Sequence, residues 1–261
     1  PERLPAASFT LEPSSVGATV NLLLASVTRS ERFTIRNAAV EPDVVQLCRA
    51  LQSMGADIDG VGSTTLVVRG VDKLSGLDVE NAPDRIEAGT FLIAAAMHPE
   101  SDVTVSGFLA RDMGVFMERL AQTGAGVETV REAVRATDSR EADGAAGRDS
   151  DTMAGGATDA VRVVSPKILK PVSLHTAVHP GFPTDLQAQW ATLMCVAHGT
   201  SVVTDTVYLD RFSYVPELAR LGADIRVDGH SVRMRGPSAL NGASVMGTDL
   251  RASVSLVMAA M

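Results

Sequence analysis

The sequence predicts an α/β protein built from repeated units, with apolar helices on the inside and sheets outside. Three observations carry this reading. Strand patterns alternate with helical ones along the chain. The same order of elements recurs three times and begins a fourth time. The first helix of each recurrence is rich in small residues and apolar nearly all round, which is the pattern of a helix buried on every side.

The first unit opens at Ser15-Val16-Gly17-Ala18-Thr19, and its helix runs on through Asn21 to Ala25. Phe33-Thr34-Ile35 is the strand, made of the aromatic and β-branched types that strands favour. A second helix starts at Glu41-Pro42-Asp43, because Pro suits a first helical turn. Val44, Val45, Leu47, Cys48, Leu51 and Met54 form its apolar face at helical spacing. Gly55-Ala56 ends it, with Gly as the residue just past the helix, and Thr65 to Val68 closes the unit as a strand.

The second unit opens at Asp84-Arg85-Ile86-Glu87-Ala88-Gly89-Thr90, with a helix from Phe91 to Met97 and a strand at Val103-Thr104-Val105. Its second helix carries Val115, Phe116, Met117 and Leu120 and stops at Gly124-Ala125. The third opens at Pro183-Thr184-Asp185-Leu186-Gln187 and continues through Trp190 to Val196. Ser201 to Thr204 is its strand, and a helix around Val215, Leu218 and Leu221 stops at Gly222-Ala223. The fourth begins at Thr248-Asp249-Leu250-Arg251-Ala252-Ser253.

Successive starts lie roughly seventy residues apart, except between the second and third units. There the extra length is Arg135 to Asp159, mostly Asp, Gly, Ala, Ser and Arg, which predicts a disordered surface insertion over 135–159. The last residues, Ser253 to Met261, read as an apolar helix without a stop signal, so the chain is expected to be truncated.

Composition narrows the function. Acidic residues outnumber basic ones 31 to 23, for a net charge of −8, and no Lys/Arg-rich run interrupts them. That argues against nucleic acid or an anionic membrane as partner, so an anionic substrate would need a local group of arginines or helix N-termini. No apolar run approaches the ~20 residues of a membrane span, and no signal-peptide pattern follows Pro1-Glu2-Arg3-Leu4-Pro5. The two cysteines, Cys48 and Cys195, sit in apolar helical patterns and suggest core positions. The expectation is a reduced cytoplasmic protein with no metal and no cofactor.

Each unit opens with a turn directly before an apolar helix. Helix N-termini offer unpaired N–H groups and a positive dipole end, so several such helices starting at one cleft would gather anion-binding ends. The pattern leaves two readings of these turns. Thr184 with Gln187 fits a capping box, with Asp185 favoured by the dipole in the first turn; a catalytic role for Asp185 is the alternative. Asp84 with Glu87, and Asp249 with Arg251, carry the same two readings. By type alone Arg85, Arg211 and Arg251 read as surface or ion-pair residues. His175, His179 and His198 lack metal-ligand spacing and fit loop or strand positions.

Four segments go further. Leu11 to Thr19, Pro83 to Thr90, His179-Pro180-Gly181-Phe182-Pro183-Thr184-Asp185-Leu186-Gln187-Ala188-Gln189 and Thr248 to Ser253 together resemble the UDP-N-acetylglucosamine 1-carboxyvinyltransferase (MurA) family of enolpyruvyl transferases. The likeness covers nearly the whole chain apart from the insertion. The related shikimate-pathway enolpyruvyl transferase shares the fold but looks unlike these motifs.

The resemblance implies two domains, each an inside-out α/β barrel of three repeated units, with the active site between them. Residues 1–82 would be the last unit of one domain. Residues 83–261 would be most of the other, as units 83–165, 166–245 and the start of a next unit at 246–261. It also implies a reaction: the sugar 3-hydroxyl attacks C2 of phosphoenolpyruvate to give a tetrahedral ketal, from which phosphate leaves. Asp185 matches the carboxylate that takes the hydroxyl proton. Ser14, Ser15, Val16, Gly17, Thr184 and Val207 match the nucleotide-sugar contacts, Arg211 matches a cleft arginine, and Asp249 and Arg251 match residues that organise the phosphoenolpyruvate region. UDP-N-acetylglucosamine and phosphoenolpyruvate are thus the expected substrates, in the first committed step of peptidoglycan synthesis.

The departures are specific. The family's Lys-Asn pair, its loop cysteine and a neighbouring arginine would lie before residue 1, and a further substrate arginine beyond Met261. Pro13 stands where some members carry a basic residue. Without those cations the chain is expected to be inactive alone. Two other readings are a non-catalytic nucleotide-sugar-binding homologue and an enolpyruvyl transferase acting on another nucleotide in secondary metabolism.

Overall fold

A computed structural model describes residues 5–29, 31–131 and 158–261. The proposed insertion at 135–159 lies outside them except for Thr158 and Asp159, and Asp159 opens a strand. The described residues form two compact units that meet in sequence at Ala82 and Pro83.

The unit before Pro83 runs β1 (Ala7–Thr10), α1 (Val16–Ser26), β2 (Phe33–Arg36), α2 (Pro42–Ser53), β3 (Asp57–Asp59) and β4 (Thr65–Arg69). Its sheet has the order β1-β2-β4-β3, with β1 parallel to β2 and the other pairs antiparallel. Ser15 is the cap of α1 and accepts a hydrogen bond from Ala18 N at 3.3 Å. Buried Thr19 ties α1 to the next loop: its hydroxyl donates to Ser15 O and accepts from Ala39 N. Leu23, Ile35, Val44, Cys48, Leu51, Leu66 and Val68 make the core between sheet and helices.

The unit from Pro83 onward repeats that plan twice. It runs α3 (Arg85–Met97), β5 (Asp102–Phe108), α4 (Gly114–Gln122), β6 (Gly126–Arg131) and β7 (Asp159–Val164). It continues with β8 (Leu174–His175), α5 (Gln187–Val196), β9 (Gly199–Thr204), α6 (Val215–Arg220), β10 (Asp224–Asp228), β11 (Ser231–Gly236) and α7 (Leu250–Ala260). The two sheets read β5-β7-β6 and β10-β11-β9-β8. In all three copies the later strand of a hairpin therefore sits between its partner and the strand that follows the first helix. After α2, α4 and α6 the chain turns at Gly55, Gly124 and Gly222, with φ of +99°, +93° and +96°. A side chain is strained there, so glycine ends each of these helices the same way.

Each sheet in this unit buries one face and wets the other. Val161 and Val163 are buried while Arg162 and Val164 are exposed; Val232 and Met234 are buried while Arg233 and Arg235 are exposed. The buried faces hold the helices: α3 packs on β5 and β7, and α5 packs on β9 and β11. Between the sheets lies an aromatic group, Phe116, Phe182 and Trp190, with ring centroids 5.3–6.4 Å apart. Helices inside and sheets outside is the inside-out arrangement the sequence predicts.

The expectation of helices buried all round holds only for α5, where every residue from Gln187 to Cys195 is buried. It has neighbours on all sides: α3, α7 and a sheet. On α3 Phe91 stays 56% exposed, and on α7 Leu250 and Val257 stay 73% and 64% exposed. Leu24 on α1 is likewise exposed, because these helices are covered on fewer faces. An apolar surround is thus necessary for full burial but does not supply the neighbours.

Candidate active site

The three inner helices of the second unit start at one end of it. Gly89 of α3 lies so close to the start of α5 that a Cβ there would fall 2.5 Å from Leu186 Cδ1, and Gln189 Nε2 donates to Thr90 Oγ1 at 3.2 Å. Helices α5 and α7 run parallel: Arg251 at the start of α7 reaches Asp185 just before α5, and one turn on Thr192 Oγ1 donates to Ser255 O at 3.4 Å.

Asp185 is the centre of a half-buried charged group at this end. It sits in a single 3-10 turn, Thr184–Leu186, that leads into α5. Its Oδ1 accepts from Arg211 Nη1 at 3.0 Å and from Arg251 Nε, and is ion-paired with Arg251 Nη2. The side chains are 34% (Asp185), 20% (Arg211) and 33% (Arg251) exposed, so solvent reaches all three. The Arg211 guanidinium also lies 3.8 Å from the centroid of the Tyr208 ring, a cation–π contact that fixes its plane.

The loop after β9 is anchored by Asp205, which is fully buried. Its Oδ1 accepts from Thr176 Oγ1 at 2.7 Å, Val207 N at 2.9 Å and Tyr208 N at 2.8 Å, and its Oδ2 accepts from Thr184 Oγ1 at 2.6 Å. A buried carboxylate needs several donors, and these four fix Val207, Tyr208 and Thr184 around Asp185. Thr184 Oγ1 also accepts from Arg211 Nη1 at 3.3 Å. The turn, the loop and the arginine are therefore one connected network.

Asp249 has different work. Its Oδ1 accepts from Arg251 N and Ala252 N, the first amides of α7, at 2.8 and 3.0 Å. Its Oδ2 accepts from Ser213 Oγ at 2.7 Å. The Ser213 hydroxyl first, then those amides and the Arg251 charge, hold its carboxyl below the usual range against a smaller opposing effect of burial. Capping α7 points the Arg251 side chain back toward Asp185.

The capping box expected at Thr184 and Gln187 does not form. The Thr184 hydroxyl is taken by Asp205, no side chain caps the turn or α5, and the buried Gln187 amide has no hydrogen-bond partner among the described residues. With Asp185 drawn to two arginines, neither residue is left to cap.

Residues 2–261 match the family described as EPSP synthase (3-phosphoshikimate 1-carboxyvinyltransferase). The chain belongs to that family. Within the EPSP synthase family the sequence is similar to the UDP-N-acetylglucosamine 1-carboxyvinyltransferase of Chlorobaculum parvum, at 42% identity over 99% of this chain and 54% of that protein. It is also similar to the enzyme of the same name from Zymomonas mobilis, at 42% identity over 95% of this chain and 51% of that protein. The chain thus spans about half the length of these relatives. The enolpyruvyl transferase NikO from Streptomyces tendae superposes with a TM-score of 0.78 at 25% identity, over all of this chain and 58% of that one. The EPSP synthase of Acinetobacter baumannii, with a TM-score of 0.66 at 19% identity over 98% of this chain and 56% of that one, shares the fold.

Of the residues singled out from the sequence, this member of the EPSP synthase family brings together Thr184, Asp185, Arg211 and Arg251, with Asp249 bonded to the Arg251 amide and Val207 joined to Thr184 through Asp205. Arg211 and Arg251 are ion-paired, as their type suggested. Ser14, Ser15, Val16 and Gly17 lie in the other compact unit, where Ser15 caps α1. Cys48 and Cys195 are buried, and burial pushes their thiols up to about 11 and about 12. Among the described residues no group of His, Cys, Asp or Glu has the arrangement of a metal site, and no helix is long and apolar enough to cross a membrane. Sequence reasoning missed Asp205, Thr176, Tyr208 and Ser213. The signal for Asp205 was weak: one Asp between two threonines, directly after a strand.

Proposed function

We propose that this protein takes part in transfer of the enolpyruvyl group of phosphoenolpyruvate to the 3-hydroxyl of UDP-N-acetylglucosamine, with release of phosphate. The observation that supports this most is the carboxylate of Asp185, open to solvent between Arg211 and Arg251, in a chain whose relatives are named for that reaction. A sugar hydroxyl is weakly acidic, so a positioned carboxylate that takes its proton as the C2–O bond forms lowers the barrier. The C3 carbon gains a proton to complete the ketal; the C2–O bond to phosphate then breaks as C3 gives up a proton, which restores the C2=C3 double bond of the transferred group. The two arginines meet the carboxylate and phosphate charges of phosphoenolpyruvate, as guanidinium groups do best. Thr184 and Val207, fixed by Asp205, and Ser14 to Gly17 at the start of α1 contact the nucleotide-sugar. Asp249 aims Arg251.

On this reading residues 1–82 are the last unit of one domain, and residues 83–261 are most of the other. The reaction belongs to the cytoplasmic start of peptidoglycan synthesis, and so bears on cell shape and division. No cofactor takes part in it.

The test is phosphate release from phosphoenolpyruvate, with and without UDP-N-acetylglucosamine, by this chain joined to the part of its relatives' length that it does not span; the 261 residues alone are expected to release none. Release that depends on this sugar nucleotide, is not replaced by uridine monophosphate, and falls ~10²–10⁴-fold in Asp185→Asn is expected. Equal release with the bare nucleotide, or an Asp185→Asn variant of full activity, overturns the reading.

A further inference from the structure

The outer faces of the three sheets carry the same positions, and one of them reverses its charge. After the glycine that ends each second helix the chain reads Gly55-Ala56-Asp57-Ile58-Asp59, Gly124-Ala125-Gly126-Val127-Glu128 and Gly222-Ala223-Asp224-Ile225-Arg226. The last residue of each faces solvent beside the central strand. In the first copy Arg69 on β4 bonds Asp57 and Asp59 at 2.9 and 2.8 Å. In the second, Arg162 on β7 is bound by Asp102 at 2.6–2.7 Å, with Glu128 at 4.0 Å.

In the third copy Arg226 stands where Asp59 and Glu128 stand, directly opposite Arg233, with Arg235 two residues along opposite Asp224. All are exposed, and among the described residues none of the three guanidinium groups makes a hydrogen bond or ion pair. Like charges directly opposite across strands repel. Together with Thr200 and Asp224 they line a concavity of about 390 Å³. The chain as a whole carries a net charge of −8, which isolates this patch as a cationic one.

We propose that this face binds a compact anion bearing two or more phosphate groups. Three guanidinium groups and one carboxylate leave two positive charges, and the planar forks of Arg suit phosphate oxygens. A compact ligand fits better than nucleic acid, because three arginines fall well short of the ~6–10 phosphate contacts typical there, and beyond about a Debye length the acidic remainder repels. The site is not the one around Asp185: it lies on the opposite face of the sheet from α5, with Thr200 about 17 Å along β9 from Asp205 at ~3.4 Å per residue.

The probe is tripolyphosphate, titrated calorimetrically into the chain at low and moderate salt, with orthophosphate for comparison. Saturable tripolyphosphate binding that weakens with salt and exceeds that of orthophosphate is expected. Arg226→Glu, which restores the acid of the other two copies, and Arg226→Gln with Arg233→Gln weaken it roughly tenfold or more. Arg251→Gln leaves it unchanged. Both patch variants melt no lower than the parent, since a like-charge pair is gone. No saturable binding, unchanged affinity in both patch variants, or loss of binding in Arg251→Gln alone overturns the proposal.

Discussion

The segments Thr184-Asp185-Leu186-Gln187-Ala188 and Thr248-Asp249-Leu250-Arg251-Ala252 differ at one position and behave differently throughout. In the second, the aspartate caps its own helix and α7 begins one residue later. In the first, the aspartate leaves its helix for two arginines, the threonine bonds Asp205, and α5 begins only at Gln187. What separates them is the company they keep. Asp205 and Arg211 flank the first segment; among the described residues Ser213 alone donates to the side chain of Asp249 from outside its helix. Capping is what an Asp before a helix does when no stronger donor competes for it.

The comparison breaks most sharply at Asp205. Asp205→Ala strands four donors that now have one buried acceptor, and unpaired buried donors cost more than the bonds themselves contribute. A loss of about 3 kcal/mol is expected, or roughly 6–12 °C in Tm for a domain of this size. Thr184 would then be free to cap, so the first segment would come to resemble the second. Thermal unfolding with Tm unchanged would show that the network does not hold the turn.

Asp249→Ala should cost about 1 kcal/mol, the usual worth of an N-cap. Its pH dependence follows from the depressed carboxyl. A group whose pKa is lower in the folded state stabilises above its unfolded value of about 3.9 and loses that contribution as pH falls through the folded value. The gap in urea stability between parent and Asp249→Ala should therefore be full at pH 7 and close as pH drops below about 4. Ser213→Ala should shift that closure to higher pH, because the Ser213 hydroxyl is the largest cause of the depression. A gap constant from pH 7 to pH 3 contradicts the capping role.

How far the sequence reached follows the same line. The helix starts, the glycine stops and the three-fold plan were legible because they depend on neighbours within a few residues. The expected start at Glu41-Pro42-Asp43 is where α2 begins, and Gly55, Gly124 and Gly222 all turn as glycine permits. β1 and β3 carried too little pattern to be read: every residue of β1 is exposed, and β3 has three residues. The pairing of Asp185 with Arg211 and Arg251 spans 26 and 66 residues. No local spacing encodes such contacts, so the sequence could not show that Asp185 pairs with arginines instead of capping its helix.

The smallest effect is expected where the two segments differ. Arg251 crosses to Asp185, while Gln187, at the same place, is fully buried with both amide atoms unpartnered among the described residues. Burying an unpaired amide costs ~1–3 kcal/mol by mutational measure, so a side chain of the same length without hydrogen-bonding atoms should do better. Met adapts its shape to such a slot. Gln187→Met is expected to raise stability by about 1 kcal/mol, less any packing strain, or roughly 2–4 °C in Tm. A fall of that size instead means that a buried water already satisfies the amide; Gln187 would then be part of the polar network around Asp185.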